Sequence, residues 1–299
     1  MDIEELRTFV EVADAGGISA AALRLGVAKS IVSRRLNRLE EELGVQLLSR
    51  NTRGAALTEA GAAFRQSADK ICAEIDMAKE TIAPAGDLRG RLRIAAPLTF
   101  GPTHFAPVLA EMARRHPRLQ IHTCYSDHLV NLIAEGFDCA IRVGWLQDSN
   151  LVAKCVGPVH GVTVASPEYI KAHGAPTTPE ELLGHEALMQ GTEPWSFLDG
   201  DKTITVRPLG RFKADNGAAL VAATVAGLGI GYLPAMLVQE HLRSGALVQV
   251  MTDYPVPQAA AYVVRPPGLH PSKKIGILTE LLVEYFGTMP EVAPASPGL

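Results

Sequence analysis

Aromatic residues, paired cysteines and long apolar runs are all scarce in this sequence. Aromatic side chains make up 5% of the 299 residues. The four cysteines, Cys72, Cys124, Cys139 and Cys155, form neither a CxxC pair nor the framework of a disulfide-stabilised small domain. No run of 18 apolar residues occurs, and the acidic first residues do not resemble a signal peptide. We therefore expect a protein of a reducing compartment, the cytoplasm, with no membrane partner.

The net charge is small, and sequence motifs of catalysis are absent. The 28 Lys and Arg residues against 32 Asp and Glu residues give a formal charge of -4, which excludes a protein that coats nucleic acid through bulk charge. Neither a GxSxG nucleophile motif nor a P-loop is present. The histidines at 104, 116, 122 and 128 are expected at alternate strand positions and helix ends, which disfavours a metal site. The sequence therefore predicts no enzyme activity, no metal and no cofactor.

Basic charge is nevertheless concentrated in one segment. Residues 15–39 hold five basic side chains and no acidic one. Upstream, apolar residues from Leu6 to Ala13 repeat at helical spacing, and this helix is expected to end at Gly16-Gly17. A short Ala-rich helix follows and breaks at Gly26. The basic segment is therefore predicted to be helical, with glycine turns between its helices.

The last helix of this segment is amphipathic. Its apolar residues step by 4, 3 and 4 positions, at Val32, Leu36, Leu39 and Leu43. Two short helices joined by a glycine turn, the second of them cationic on its outer face, indicate a helix-turn-helix whose second helix fits the major groove. An amphipathic helix pair with a merely solvated charged face is the alternative.

Residues 47–57 read as a two-stranded wing with arginines near its tip. The positions expected to face the major groove are Ser30, Ser33, Arg34, Asn37 and Arg38, and those expected to contact phosphate are Lys29, Arg50 and Arg53.

The run from Leu6 to Gly61 closely resembles LysR-type transcriptional regulators. The resemblance is carried by ISAAALRLGV at 18–27, SRRL at 33–36 and LEEELGVQLL at 39–48. It implies an all-α winged helix-turn-helix in residues 1–58 that binds double-stranded promoter DNA, with RNA polymerase as a further partner. Ala28 departs from the family pattern, which commonly has Ser or Thr there, so the recognition helix loses a capping side chain.

A long helix is predicted after the wing. Thr58 can cap it, and Pro84 and Gly86 stop it. Its apolar and small residues alternate in steps of 4 and 3 over about 25 residues, which is the heptad spacing of a coiled coil. We expect residues 59–89 to form a linker and dimerisation helix whose seam contains Phe64, Ile71, Ile75 and Ile82. A helix packed on its own domain is the alternative.

From residue 90 onward, short β-rich runs alternate with helical ones. Strands are predicted at 91–97, 119–125, 139–144, 162–165, 203–206, 211–214 and 229–234. Alternating strands and helices imply βαβ units with a mostly parallel sheet, in which ligands gather at the carboxyl ends of strands. Asn216 starts a predicted helix, and a helix N-terminus attracts anions.

This order again resembles the LysR-type effector domain, an α/β fold of two subdomains like the periplasmic solute-binding proteins. The resemblance implies an effector domain at 90–299, with subdomain I at 90–161 and 267–292 and subdomain II at 162–266. An organic acid or aromatic effector would bind in the cleft between them. The candidate cleft residues are Thr99, Phe100, Tyr125, Ser126, Trp145, Trp195 and Asn216.

The whole chain thus resembles a regulator that binds promoter DNA as a homodimer or homotetramer and responds to a small molecule in its cleft. A second hypothesis is a redox-responsive regulator in which Cys124 or Cys155 replaces the metabolite. A third is an enzyme on the α/β half that is tethered to DNA.

Overall fold

A computed structural model describes residues 1–51, 54–82, 88–268 and 272–289. Contacts within the chain divide it into two compact units. The first unit comprises residues 1–91 with the short segments 118–120 and 131–137, and the second comprises the remaining residues. None of the helices in the described ranges combines the length and apolar character that a membrane crossing requires.

The first unit begins with the predicted helix-turn-helix and wing. Its elements are α1 (Ile3–Ala15), α2 (Ile18–Leu25), α3 (Lys29–Leu43), β1 (Leu48–Asn51), β2 (Gly54–Leu57) and α4 (Glu59–Ile82). The first three helices end at Gly16, Gly26 and Gly44, each in the left-handed conformation that glycine adopts without a Cβ clash. The strands β1 and β2 pair antiparallel, which confirms the predicted wing.

The apolar stripes of α1, α2 and α3 meet in one core. Phe9, Val32, Leu36 and Leu39 are fully buried there. Leu43 continues the apolar stripe of α3 but is 37% exposed. It is the last residue of α3, before the cap at Gly44, and lies where the helix extends beyond the core. We call this three-helix core with its wing the head.

The first turns of α4 also belong to the head. The Thr58 hydroxyl accepts a hydrogen bond from the Gly61 amide at 2.9 Å, as the predicted cap requires. A Cβ on Gly61 would lie 1.9 Å from the carbonyl oxygen of Leu47, so only glycine permits this approach. The Phe64 ring lies 5.6 Å from the Phe9 ring, so Phe64, predicted in the dimer seam, instead packs on the core of its own head.

Residues 90–268 and 272–288 contain two five-stranded sheets, a hairpin and the remaining helices. The strands are β3 (Gly90–Ala96), β4 (Leu119–Tyr125), β5 (Cys139–Gly144), β6 (Val152–Val159), β7 (Gly161–Ala165), β8 (Ala187–Met189), β9 (Trp195–Asp199), β10 (Lys202–Val206), β11 (Phe212–Lys213), β12 (Ile230–Pro234), β13 (Val248–Gln249) and β14 (Ala259–Arg265). The helices are a π-helix (Gly101–Phe105), α5 (Ala106–Arg115), α6 (Leu132–Glu135), α7 (Pro167–His173), a 3-10 helix (Pro179–Gly184), α8 (Gly217–Val225), α9 (Ala235–Arg243) and α10 (Lys273–Thr288).

The sheets are mixed, whereas the sequence predicted mostly parallel ones. The first has the order β4-β3-β5-β14-β6 and the second the order β11-β8-β12-β7-β13. In the first sheet β3 and β5 are parallel, but β14 runs antiparallel to both β5 and β6. In the second, β11 and β12 are parallel to β8, but β7 is antiparallel to β12. We call the first sheet with α5 and α10 the first lobe, and the second sheet with α7, α8 and α9 the second lobe.

The chain passes between the lobes twice. The first passage lies at His160, between β6 and β7, next to the expected position at Gly161. The second precedes Ala259, because β14 pairs with β5 and β6 of the first lobe. The expected boundary at Arg265-Pro266 is therefore wrong, since residues 259–265 belong to the first lobe.

Candidate functional site

The outer face of α3 presents the polar side chains that the sequence analysis selected. Lys29, Ser30, Arg34, Asn37 and Arg38 are exposed, and Ser33 is half-buried at the edge of the face. Within the described part of the chain, neither Lys29 nor Arg34 has an acidic side chain within ion-pair distance. This cationic face is therefore available to an external anion.

Two other arginines of the basic segment are used inside the head. Arg35 lies 3.3 Å from the Glu4 carboxylate and also donates to the Thr8 hydroxyl at 3.3 Å. Arg24 lies 3.2 Å from Glu11. Both acids belong to α1, so these ion pairs attach the helix-turn-helix to the first helix. The charge count therefore overstates the positive surface.

Arg38 has acidic surroundings. It lines a surface pocket together with Asp2, Glu5, Glu41 and Glu42. The pKa of the N-terminal ammonium is raised, chiefly by its hydrogen bond to Glu42. Arg38 therefore has carboxylates among its neighbours. Glu41 and Glu42 follow Arg38 at i+3 and i+4 on α3, a spacing that the sequence could have shown, whereas Asp2 and Glu5 come from the chain start.

The start of α3 and the wing complete this face. Ala28 is extended, with φ -68° and ψ 147°, and caps α3 without a side-chain hydrogen bond, as predicted. The Glu40 carboxylate accepts from the amides of Leu47 and Leu48 at 2.8 and 3.0 Å, which fixes the wing to α3. The backbone of Arg50 pairs with Ala55 in the hairpin, while its side chain and all of Arg53 lie outside the described residues.

A second cluster of polar groups joins the two lobes. The Thr99 hydroxyl donates to Asp127 Oδ2 at 3.0 Å and accepts from the Gly217 amide at 3.1 Å. The Thr99 amide donates to Asp127 Oδ1 at 3.1 Å, and Asn216 Nδ2 donates to Asp127 Oδ2 at 3.2 Å. Thr99 and Asp127 follow β3 and β4 of the first lobe, whereas Asn216 and Gly217 start α8 of the second. We call these four residues the cleft cluster.

The cleft cluster brings together Thr99 and Asn216, which the sequence had selected. Asn216 caps α8, because its Oδ1 accepts from the amides of Ala218 and Ala219 at 3.0 and 3.3 Å. A Cβ on Gly217 would lie 2.7 Å from Thr99 Cγ2, so the lobes approach closely at this point. Asp127 was not selected, although it directly follows the candidates Tyr125 and Ser126 in the sequence.

The other candidates of the first lobe differ in exposure and contacts. Phe100 is 7% exposed, with its ring 6.3 Å from Phe105, so it is a core residue. The Tyr125 ring covers Gly101, where a Cβ would lie 2.1 Å from it. Ser126 is half-buried, and its hydroxyl accepts from the His128 amide at 3.2 Å. Trp145 is 64% exposed.

Trp195 does not line the cleft. It is 5% exposed in the core of the second lobe, and its ring stacks on Tyr232 at 5.1 Å. The Tyr232 hydroxyl donates to the carbonyl of Ser196 at 3.0 Å, and burial raises the pKa of Tyr232 to about 12. The prediction of Trp195 as a cleft residue is therefore wrong, because its indole is used for packing.

A cavity of about 570 Å³ lies beside Thr99. His104 is one of its polar lining residues, and His104 Nδ1 lies 2.9 Å from the Tyr285 hydroxyl. Burial lowers the pKa of His104, so its neutral form is favoured. The full lining consists of Thr99, Thr103, His104, Ala218, Val221, Ala222, Val225, Ala226, Met236, Leu237 and His241. The site thus combines the polar cleft cluster with a largely apolar wall of α8 and α9.

The two cysteines of the redox hypothesis are exposed but far apart. Cys124 lies on β4 and Cys155 on β6, the two outermost strands of the first sheet. Four strand spacings separate them, roughly 19 Å. A disulfide requires Cα atoms within about 7 Å. One folded chain therefore cannot join these two thiols.

Comparisons with known proteins agree with both halves of this description. The family of bacterial regulatory helix-turn-helix proteins of the lysR type matches residues 3–62, and the LysR substrate binding domain matches residues 85–287. The transcriptional regulator PtxR of Pseudomonas aeruginosa is 32% identical over 97% of this chain and 95% of that protein.

Two solved structures extend the likeness to the fold. CrgA, a LysR-type transcriptional regulator from Neisseria meningitidis, is 31% identical over 96% of this chain and 99% of that one, with a TM-score of 0.59. The full-length virulence activator AphB of Vibrio cholerae is 27% identical over 96% and 100%, also with a TM-score of 0.59. The chain therefore belongs to the LysR family and is a LysR-type transcriptional regulator with a helix-turn-helix and a substrate-binding domain.

Proposed function

We propose that this regulator binds double-stranded promoter DNA as a homodimer or homotetramer through the outer face of α3. The observation that carries the proposal is the contrast among the basic residues of the head. Arg24 and Arg35 are paired with acids of α1, whereas Lys29 and Arg34 are exposed and have no acidic partner in the described part of the chain. A helix with one buried face and a cationic outer face fits the major groove.

The residues of this face take two roles. Ser30, Ser33, Arg34 and Asn37 contact base edges, and Arg34 is central among them. Lys29, Arg50 and Arg53 contact phosphates, which positions the helix but gives no sequence preference. Arg38 has a smaller share, because the carboxylates around it repel a phosphate.

The cleft of the second unit binds a small molecule that changes how the copies assemble on DNA. Thr99, Asn216 and the lining of the neighbouring cavity support this assignment. The ligand acts by linkage, because only a difference in affinity for two arrangements can shift promoter occupancy. RNA polymerase is the downstream partner at the nucleoid, and no turnover of the ligand takes place.

Fluorescence anisotropy with promoter fragments and scrambled competitor tests the DNA-binding face. Arg34→Ala should lower affinity for the preferred fragment by roughly 5- to 150-fold and relax its base preference, since a base contact is worth about 1–3 kcal/mol. Arg50→Ala should weaken all sequences alike and reduce the salt slope by about one.

Arg243→Ala is the matched control, because it removes an exposed arginine of α9 with the same change in charge. An Arg34→Ala variant that kept its full preference for the promoter fragment would place the base contacts on another element.

A further inference from the structure

Asp127 places a carboxylate at the point where the cleft cluster joins the two lobes. Its oxygens accept three hydrogen bonds, from the Thr99 amide, the Thr99 hydroxyl and the Asn216 side chain, at 3.0 to 3.2 Å. These donors come from both lobes and converge on one carboxylate. Charged acceptors make stronger hydrogen bonds than neutral ones, so the arrangement holds a carboxylate well.

We propose that Asp127 is an intrinsic ligand of the effector site and selects against effectors that bear a carboxylate. The inference rests on the proposed function of the cleft and specifies its ligand class. A carboxylate effector that sought the three donors would meet a carboxylate already bound to them. The effector that fits is a neutral molecule with a hydrogen-bond donor, because Asp127 Oδ1 accepts from the Thr99 amide and a carboxylate oxygen can accept a second hydrogen bond.

The backbone amides next to the cleft cluster already have acceptors within the protein, so they do not offer a carboxylate effector a second binding position. The Gly217 amide donates to the Thr99 hydroxyl, and the amides of Ala218 and Ala219 donate to Asn216 Oδ1. The first turn of α8 therefore uses these amides within the protein.

Asp127→Gly creates a defined test, because it removes the whole CH₂–COO⁻ group and the vacated space has the size of acetate. This variant leaves the three donors without their acceptor, which destabilises the contact between the lobes. Acetate can then take the place of the missing carboxylate, with the weak affinity expected of so few atoms. Asp127→Asn keeps the space filled and should not admit acetate.

The experiment measures thermal unfolding of the full chain in acetate, in acetamide and in chloride at equal ionic strength. Asp127→Gly should unfold at lower temperature than the wild type, and acetate alone should restore part of the loss. The wild type, Asp127→Asn and Asp201→Ala should not respond to acetate. Asp201 is the matched control, an exposed carboxylate on the turn between β9 and β10.

Two outcomes overturn the inference. One is that acetate leaves the unfolding temperature of Asp127→Gly unchanged. The other is that acetate stabilises the wild type or Asp201→Ala as much as it stabilises Asp127→Gly. Promoter binding without ligand is measured on the same samples, so that the two hypotheses can fail separately. A wild type that binds no promoter fragment refutes the proposed function, whereas a missing acetate response with intact promoter binding refutes only the role of Asp127.

Discussion

Helix α4 has two halves with different surroundings, and two substitutions separate them. Phe64 in the first half packs on Phe9 of the head, whereas Ile71 in the second half is 38% exposed. We expect Ile71→Asp to dissociate the proposed dimer while the head stays folded. We expect Phe64→Ala to destabilise the head while the seam further along α4 is retained. The side chain of Ile82 lies outside the described residues, and Ile75 is half-buried.

The expected free-energy changes of these two substitutions follow from how much of each side chain is exposed. Full burial of an isoleucine is worth about 2–3 kcal/mol, so covering the exposed 38% of Ile71 contributes about 1 kcal/mol per chain. Two copies give about 2 kcal/mol, or roughly a 30-fold change in the dissociation constant of the dimer. Aspartate costs more than the loss of this contact, because its charge would be desolvated in the seam. Phe64→Ala removes a half-buried ring and its aromatic contact, about 2 kcal/mol of head stability.

Sedimentation velocity over a concentration series measures the dimer, and hydrogen exchange of the α1 and α3 amides measures the head. Ala73→Asp is the control for charge, since Ala73 is exposed and lies on the opposite side of α4 from Ile71. If Ile71→Asp dimerised as tightly as the wild type, the seam would not involve this part of α4. If Ala73→Asp dissociated the dimer equally, the effect of Ile71→Asp would be general repulsion.

Two further predictions concern the second unit. Thr99→Val removes the hydroxyl that bonds to both Asp127 and Gly217. It should weaken the response to a ligand found by thermal-shift screening and leave promoter affinity, measured by fluorescence anisotropy, unchanged. A collapse of promoter affinity would make Thr99 a structural residue. Burial lowers the pKa of His104, so its neutral form contributes stability above the unfolded pKa of about 6.5, and this contribution is lost as the pH falls below it. His104→Gln should therefore flatten the fall in urea midpoint on acidification, and an unchanged slope would contradict this reasoning.

The head could be predicted from the sequence because its signals are local. Gly16 and Gly26 mark helix ends, and the spacing of Val32, Leu36 and Leu39 defines the buried face of α3. The strands β4 and β5 were predicted with the bounds that the structure gives. Each of these features depends on neighbours within a few residues.

The cleft cluster and the packing of Phe64 and Trp195 could not be predicted, because the residues that contact one another there are distant in sequence. Asp127 lies 28 residues from Thr99 and 89 from Asn216, and no periodicity links the three. Phe64 satisfies the heptad spacing as well as a contact with Phe9, so the pattern alone could not choose between seam and core. Trp195 begins a strand, and only the fold shows that its ring faces Tyr232.

The absence of a capping side chain at Ala28 links folding of the head to its docking. Serine or threonine at such a position would stabilise the helix by about 1 kcal/mol through its first amides. In this chain no side chain caps the first turn of α3, where the amides of Lys29 and Ser30 lie. An oxygen of a nucleic-acid backbone can accept from them and complete the helix end. If the proposed DNA contact is made there, we expect the first turn of α3 to be less ordered in the free protein than in the DNA complex.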